Sequence, residues 1–392
     1  MESDGRKLRR VLLVSYEFPP LGGGGGVMFR DLAEELARNL EVTVLTSGAA
    51  GLAEYERSNG AEIVRVPVLL RNAQAVASMA SLLSFFPSSY RTGRRLLEAK
   101  EYDLIHSSFA VPTGPSAVLL ARRFGLPHVL SIHGGDIWDP SKPLSPHRVP
   151  LLKQTVRWVM RSCDRVVAQS RDTVERAESI YRVRDVARIP LAVKPVPFEK
   201  LDRTELELGL EPEHRVLITV GRLIARKGLG RLIELVARQA DERVRLLVVG
   251  DGPARSELET AARAAGVTRR VLFAGPVSDE RKWQLLAAAD LYVSTTLHEG
   301  FGIVFLEAME SGLPVICYDR GGQTDFLTDE FSRLVPVGDE ARFEREVRTL
   351  CDDDALRAQL GAAAHGAARD FHTDRFAERY LEAYREVLAK RN

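Results

Sequence analysis

The stretch His298-Glu299-Gly300-Phe301-Gly302-Ile303-Val304-Phe305-Leu306-Glu307-Ala308-Met309 carries two glutamates separated by seven residues. The first lies in a glycine-rich loop. The second sits inside a run that is otherwise almost wholly apolar. Such a run predicts a buried helix, starting near Gly302 and ending near Gly312-Leu313-Pro314. A carboxylate in that setting is costly unless something pairs with it. Glu307 therefore needs a partner.

Working outward, short apolar runs at 291–294 and 314–318 bracket this helix as strands. Upstream, strands are expected at 216–220, 244–249 and 271–274, alternating with helices at 229–239, 253–265 and 279–288. The same rhythm fills the first half. Strands are expected there at 10–15, 41–46, 62–66, 103–107, 128–132 and 165–169. Helices are expected after Gly26 and at 115–124, 150–161 and 171–181. Alternating strands and helices predict parallel sheets covered on both faces. Pro190, Pro195, Pro197 and Pro212 interrupt the pattern between the halves, and 191–213 reads as a linker. The end of the chain, from about 340 to 390, reads as helical with turns near Asp352 and His372. The expected architecture is α/β: two doubly wound parallel-sheet domains, 1–192 and 193–373, facing across a cleft. Open sheets of this kind bind ligands at the carboxyl ends of their strands.

Composition bounds the function. The 392 residues are 45% hydrophobic and 28% charged, with a net charge of +1. Nothing in that balance argues for nucleic acid. Three scattered cysteines without metal spacing suit a reducing, cytoplasmic setting. The basic start, Arg6 to Arg10, leads into only four apolar residues, Val11 to Val14, too few for a signal peptide. Residues 75–86 place Val76, Met79, Ala80 and Leu83 at helical spacing, and Arg71, Arg91, Arg94 and Arg95 flank them. That pattern suits a helix packed on the first domain. A sharper reading is a peripheral contact through 75–95 with the inner face of a membrane or with a lipid-linked acceptor, second to the packed helix.

Four constellations sit at expected strand ends. Gly22 to Gly26 follow the first strand, where backbone N–H groups at a helix start can meet an anion. The dinucleotide fingerprint fails in every register, and a flexible turn is the alternative. Gly221-Arg222-Leu223-Ile224-Ala225-Arg226-Lys227-Gly228 puts three cations between a strand and a helix. It suits either a polyanion site or a solvated basic turn. In Val249-Gly250-Asp251-Gly252-Pro253 the glycines permit close approach of a ligand, or simply a tight turn. His133-Gly134-Gly135-Asp136 presents a histidine and a carboxylate together, for a ligand or for structural hydrogen bonding. No HExxH, GxSxG or CxxC pattern occurs. Asp352-Asp353-Asp354 reads as helix capping rather than a metal site.

These residues resemble glycosyltransferase family 4. The resemblance is carried by Gly221-Arg222-Leu223 with Arg226-Lys227-Gly228, by Val249 to Pro253, and by Glu299-Gly300-Phe301-Gly302 with Glu307. Phe18-Pro19-Pro20 leading into the glycine run adds to it, and the match spans roughly residues 8–335. The resemblance implies a retaining, metal-independent enzyme of GT-B architecture, with two Rossmann-like domains and no cofactor. It would move a hexosyl group from a UDP- or GDP-sugar to a hydroxyl of a glycan or lipid-linked acceptor. The final helix, 374–392, would cross back onto the first domain.

Roles follow by the same resemblance. Arg222 and Lys227 would neutralise the donor diphosphate. Glu307 would hold the ribose hydroxyls, which would supply its partner. Glu299 would hold the donor sugar. Gly221, Gly250, Gly252 and the N–H groups of Gly300, Phe301 and Gly302 would line the donor site. His133 would contact the sugar from the other domain, Asp136 would orient the acceptor hydroxyl, and Gly23, Gly24, Gly25 and Gly26 would approach the phosphate. Two other readings fit the same architecture: an epimerase or phosphorylase acting on related substrates, and a non-catalytic nucleotide-sugar-binding protein.

Overall fold

The computed structural model describes residues 8–71, 78–139, 144–196 and 202–391. Arg6, Lys7, residues 75–77 of the amphipathic segment and Pro197 of the linker lie outside these. The chain divides into two compact units. One comprises Met1–Ala192 with Thr373–Asn392, the other Val193–His372.

The first unit holds strands β1 (Arg10–Ser15), β2 (Glu41–Ser47), β3 (Tyr55–Ser58), β4 (Ala61–Val66), β5 (Leu104–Ser108), β6 (His128–Ile132), β7 (Arg165–Ala168) and β8 (Val186–Arg188). They form one sheet in the order β3-β4-β2-β1-β5-β6-β7-β8. Every pairing is parallel except β3 with β4. β3 departs from the all-parallel expectation. Asn59 and Gly60 both take positive φ (46° and 87°), the turn that joins a two-residue hairpin. Helices α1 (Gly24–Leu36), α2 (Met79–Ala99), α3 (Gly114–Phe124), α4 (Pro150–Ser162), α5 (Arg171–Tyr181) and the late α12 (Thr373–Ala389) belong to the same unit.

α2 is longer than the 75–86 pattern suggested and continues through Pro87. Ser78 caps it by accepting from the Ser81 N–H. Its buried residues Ser81, Phe85, Ser89, Gly93 and Leu97 recur every four positions, one face of a helix. Small residues let that face approach α3 closely: a Cβ on Gly93 would lie 2.5 Å from Leu120, and Ser89 donates to Ser116 at 2.9 Å. Burial of this stripe outweighs the one backbone bond that Pro87 removes.

α12 is held to the sheet by buried polar groups. His106 on β5 is hydrogen bonded through Nδ1 to Tyr384 Oη at 2.6 Å and through Nε2 to Ser131 Oγ at 2.8 Å. Ser131 in turn meets Tyr380 Oη at 2.7 Å. Tyr380 also stacks on the His106 ring, with centroids 5.0 Å apart. Thr373 donates to Glu35 on α1 at 3.0 Å.

The second unit holds β9 (Arg215–Val220), β10 (Val244–Val249), β11 (Val271–Gly275), β12 (Leu291–Ser294), β13 (Val315–Tyr318) and β14 (Ser332–Val335), in the order β11-β10-β9-β12-β13-β14. All five pairings are parallel. Its helices are α6 (Gly230–Arg238), α7 (Arg255–Ala264), α8 (Asp279–Ala287), α9 (Ile303–Glu310), α10 (Glu340–Asp352) and α11 (Asp354–Ala368). The strand order steps outward from β9 in both directions, so the chain reverses between β9 and β12. That switch point is where an open sheet leaves a crevice.

Glu310, the last residue of α9, is 2% exposed. It accepts from the Val196 N–H at 3.1 Å and pairs with His372 Nε2 at 2.9 Å. Val193 donates to Phe371 O at 2.8 Å beside it. The two stretches through which the chain enters and leaves this unit therefore converge on one carboxylate.

Candidate active site

In the second unit the glycine-bearing loops at the carboxyl edge of the sheet pack backbone against backbone. Gly221 donates to Val249 O at 2.9 Å, Leu223 to Asp251 O at 3.0 Å, and Ala254 to Leu223 O at 3.0 Å. A Cβ on Gly250 would stand 2.1 Å from Gly221 O, and one on Gly252 would stand 2.4 Å from Leu223 O. The close approach that Gly250 and Gly252 allow is thus first that of the 221–223 loop. These glycines shape the edge and do not simply open it to a ligand.

The basic loop is tied to the start of the opening stretch. Leu297 donates to Arg226 O at 2.9 Å, and the Arg226 guanidinium donates to the His298 carbonyl. Gly228, at φ +63°, sits so close that a Cβ would meet Thr295 O at 2.5 Å. This brings Lys227 Nζ to 2.6 Å from Glu299 Oε2, with the two side chains 13% and 14% exposed. Burial pushes the Glu299 carboxyl up, but Lys227 and Arg226 outweigh it and hold the group below its usual range. Arg222 is exposed and has no ion pair or hydrogen bond among the described residues. A recess between β9 and β12 is lined by Thr219, Gly221, Arg222, Lys227, Ser294 and Thr296, among others. It offers two cations, backbone N–H groups and hydroxyls, a set suited to oxyanions.

Gly321 and Gly322, which sequence reasoning passed over, complete this edge, and a Cβ on Gly321 would lie 2.8 Å from Glu299 O. Gly322 donates to Glu299 O at 2.9 Å, and a Cβ there would lie 2.1 Å from Gly300 O. Gln323, buried, donates to Tyr318 O and Arg320 O and fixes that loop. A double glycine two residues after an apolar strand was the available signal. Gly302, at φ +95°, begins α9. The Phe301 side chain points into the core, 4.7 Å from the Phe326 ring centroid, so only its backbone faces outward chemistry.

The partner that Glu307 requires comes from the chain itself. Lys282 Nζ on α8 lies 2.7 Å from Glu307 Oε1, and also 3.1 Å from Asp279 Oδ1. Burial lowers the Lys282 pKa, but Glu307 outweighs it and the net shift is upward. The sequence had assigned this part to a bound ribose. Lys282 stands 25 residues upstream on an amphipathic helix, and no local pattern marks it.

In the first unit, the second predicted cluster assembles at the ends of β5 and β6. Asp136 accepts from the His133 N–H at 2.8 Å and from the Ala110 N–H at 2.7 Å. It joins the two strand-end loops through these bonds, which fixes the backbone around His133. His133 Nε2 is hydrogen bonded to Ser108 Oγ at 2.8 Å, while its buried Nδ1 has no partner among the described residues. Burial lowers the His133 pKa to about 4, so the ring is neutral near pH 7. Phe109 packs on it at 4.7 Å and adopts φ +74°, a strained setting for an aromatic residue. Gly25 faces both: a Cβ would stand 2.7 Å from Phe109 and 3.7 Å from His133.

The glycine run caps α1 differently from expectation. Gly23 is the N-cap and Gly24 to Gly26 open the helix. Glu17 Oε2 already accepts from the Gly23 N–H at 2.9 Å. One donor at this helix start is therefore satisfied by the chain's own carboxylate. Asp353 caps α11 by accepting from Leu356 N–H at 2.8 Å, in line with the capping reading of 352–354. Among the described residues no group of His, Cys, Asp and Glu is placed to hold a metal ion.

Comparisons with known proteins converge on one class. Residues 22–195 match the model of Glycosyltransferase Family 4, and residues 203–366 match that of Glycosyl transferases group 1. The 2-deoxystreptamine glucosyltransferase of Streptomyces kanamyceticus is 30% identical over 386 residues, covering 93% of this chain and 98% of its own. Sucrose-phosphate synthase from Thermosynechococcus elongatus superposes with a TM-score of 0.82 at 20% identity, over 97% of this chain and 100% of that one. Anabaena Alr3699/HepE in complex with UDP gives 0.75 at 20% identity, over 95% and 99%. The fold is that of a GT-B glycosyltransferase. The chain belongs to the family 4 type of these enzymes.

Proposed function

We propose that the protein is a retaining hexosyltransferase that uses a UDP- or GDP-sugar, needs no metal, and glycosylates a hydroxyl of a glycan or lipid-linked acceptor. One observation carries this reading: the Lys227–Glu299 pair at 2.6 Å, beside the unpaired Arg222 on the same recess. A cation and a carboxylate held together suit a ligand with an anionic leaving group on one side and hydroxyls on the other. Arg222 and Lys227 would hold the diphosphate and stabilise the charge that develops as the glycosidic bond breaks. These cations would fill the role of a Lewis acid. Glu299 would accept from donor-sugar hydroxyls. Glu307, held by Lys282, would accept from the ribose.

The acceptor oxygen would attack C1 from the face the diphosphate leaves. The C1–O bond to the diphosphate breaks as the new C1–O bond forms, and the acceptor proton passes to the departing phosphate oxygen. The neutral His133, with Nδ1 unpartnered, would bond a sugar hydroxyl, and Asp136 would hold its backbone in place. The solved complex of a structural neighbour with UDP supports the choice of donor class.

A peripheral membrane contact is part of this reading. No helix of the described residues is long and apolar enough to cross a membrane. Leu69, Leu70, Met79 and Leu83 are more than half exposed, and Arg91, Arg94 and Arg95 are exposed on the same helix or its approach. Co-sedimentation with anionic vesicles at low salt, abolished by reversing the three arginines, is the expected outcome.

The central test is product analysis by NMR with UDP-glucose, UDP-N-acetylglucosamine and GDP-mannose in excess chelator. Transfer with retention of the anomeric configuration is expected. Free sugar phosphate or an epimerised nucleotide sugar would point to the other GT-B chemistries, and undiminished transfer by Lys227→Ala would sink the proposed site.

A further inference from the structure

Among the described residues, eight buried side-chain polar atoms find no hydrogen-bond partner. Four of them belong to three residues of the first unit: Thr46 Oγ1, Arg65 Nε, Arg65 Nη1 and Arg71 Nε. Their clustering is the informative point, because buried donors are nearly always satisfied.

The three residues meet at the carboxyl edge of the sheet. Thr46 and Arg65 are register partners on β2 and β4, and Ser15 at the end of β1 pairs with Thr46 from the other side. Arg71 follows β4 and reaches back over β1. Its guanidinium lies 4.0 Å from the Tyr16 ring centroid, and Nη1 donates to Tyr16 O at 3.1 Å. Arg65 Nη2 donates to Pro19 O at 2.9 Å and to Glu56 at 2.7 Å. The arginines are 5% and 6% exposed, and Thr46 is fully buried.

Two buried guanidinium groups with three unused nitrogens form a costly arrangement. Glu56 pairs with one of them from a half-exposed position, and Glu17 acts on Arg71 only through space. The unused atoms are guanidinium donors and one hydroxyl, with no obligate acceptor among them. That set rejects a cation, and it matches an oxyanion better than a neutral polyol. The N-terminus of α2, which has no acidic residue in its first turn, stands close by: Ser81 Oγ is 2.6 Å from Tyr16 Oη.

We propose that the first unit carries a subsite for an oxyanion, a phosphate or carboxylate group, built from Arg65, Arg71 and Thr46 beneath the 16–22 loop, and that it selects an acceptor bearing such a group. Only the word acceptor rests on the function proposed above; the anion site is tested without any transfer. The 16–22 loop is tied to this corner, with Tyr16 O accepting from Arg71 and Pro19 O from Arg65.

The experiment follows the thermal unfolding of the full chain against inorganic phosphate and, separately, malonate. Wild type is expected to be stabilised by at least one of the two, which also identifies the oxyanion. Lys227→Ala, altered in the second unit, should keep that response. Arg71→Met should weaken it by about tenfold or more, the loss of one charge-assisted contact. Its ligand-free midpoint should equal or exceed that of wild type, because an unsatisfied buried charge is gone. Thr46→Val, close to isosteric, should weaken the response several-fold and decides the matter if Arg71→Met does not fold. No response in wild type, or a response that survives both first-unit changes, overturns the proposal. So does a response lost in Lys227→Ala, which would place the anion in the second unit and leave the donor reading intact.

Discussion

Lys227 and Glu299, 72 residues apart, meet at 2.6 Å in a setting where both are largely buried. Glu299 therefore relies on Lys227, with Arg226 beside it, for its charge. Lys227→Ala removes the hydrogen-bonded cation of a buried carboxylate and leaves only Arg226 nearby, and we expect a loss of up to about 3–5 kcal/mol of stability. Transfer should fall by about two orders of magnitude or more, the scale for removing one donor to developing charge. Glu299→Gln should cost less stability, because the amide oxygen still offers Lys227 an acceptor. The pair also gives an acid limb. Glu299 is held below the usual glutamate value of 4.5, so its contribution is present above that pH and is lost as pH falls through the lowered value. Urea titrations of wild type and Glu299→Gln at acid pH would separate this limb.

Lys282 offers a cleaner split of binding from chemistry. Lys282→Met keeps the stem and removes the charge that holds Glu307. The expected outcome is a KM for the nucleotide sugar raised about tenfold with kcat nearly unchanged, and partial rescue by Lys282→Arg. Its raised pKa adds stability below the ordinary lysine value of 10.5, lost as pH climbs through the folded value. An unaltered KM would show that Glu307 takes no part in donor binding.

Histidines whose rings are shielded from water set a second pH dependence. Burial holds His106 well below its usual value of 6.5, and His128 and His133 at about 4. The unfolded chain binds more protons than the folded one in this window. Stability should therefore fall as pH drops below about 6.5, each group approaching a slope of about 1.4 kcal/mol per pH unit. Denaturation midpoints between about pH 7 and 5 would reveal it, and a flat profile would contradict the buried neutral imidazoles.

Glu310 is expected to matter for integrity rather than for chemistry. Glu310→Ala leaves the Val196 N–H and His372 without their acceptor, a cost of about 1–3 kcal/mol. Limited proteolysis should then cut near 193–196 and 369–373 sooner than in wild type, while nucleotide affinity stays the same.

How much of this was legible depends on whether the signal was local. β1, β6 and α5 follow directly from apolar runs and capping residues such as Ser170. β3 is half exposed, and its only marker is Asn59-Gly60. β8 and β14 are three and four residues long and sit at sheet edges, where little apolar alternation is needed. In the site, Lys227 and Glu299 could be found because each adjoins a strand end. Lys282, Gln323 and the task of Asp136 depend on packing between distant segments. Phe301 shows the converse, a residue inside a recognisable motif whose side chain serves only the core.

The position of α12 has a consequence for the order of assembly. Residues 193–372 are contiguous and contain all they need to close their own sheet. The first unit is not contiguous: His106 and Ser131 wait for Tyr384 and Tyr380, made more than two hundred residues later. During synthesis from the amino end, the later unit can therefore reach its native state before the earlier one. Until residues 373–389 emerge, the face of the amino-terminal sheet that α12 covers stays open to water, and in that interval it is the part of the chain most exposed to misassembly.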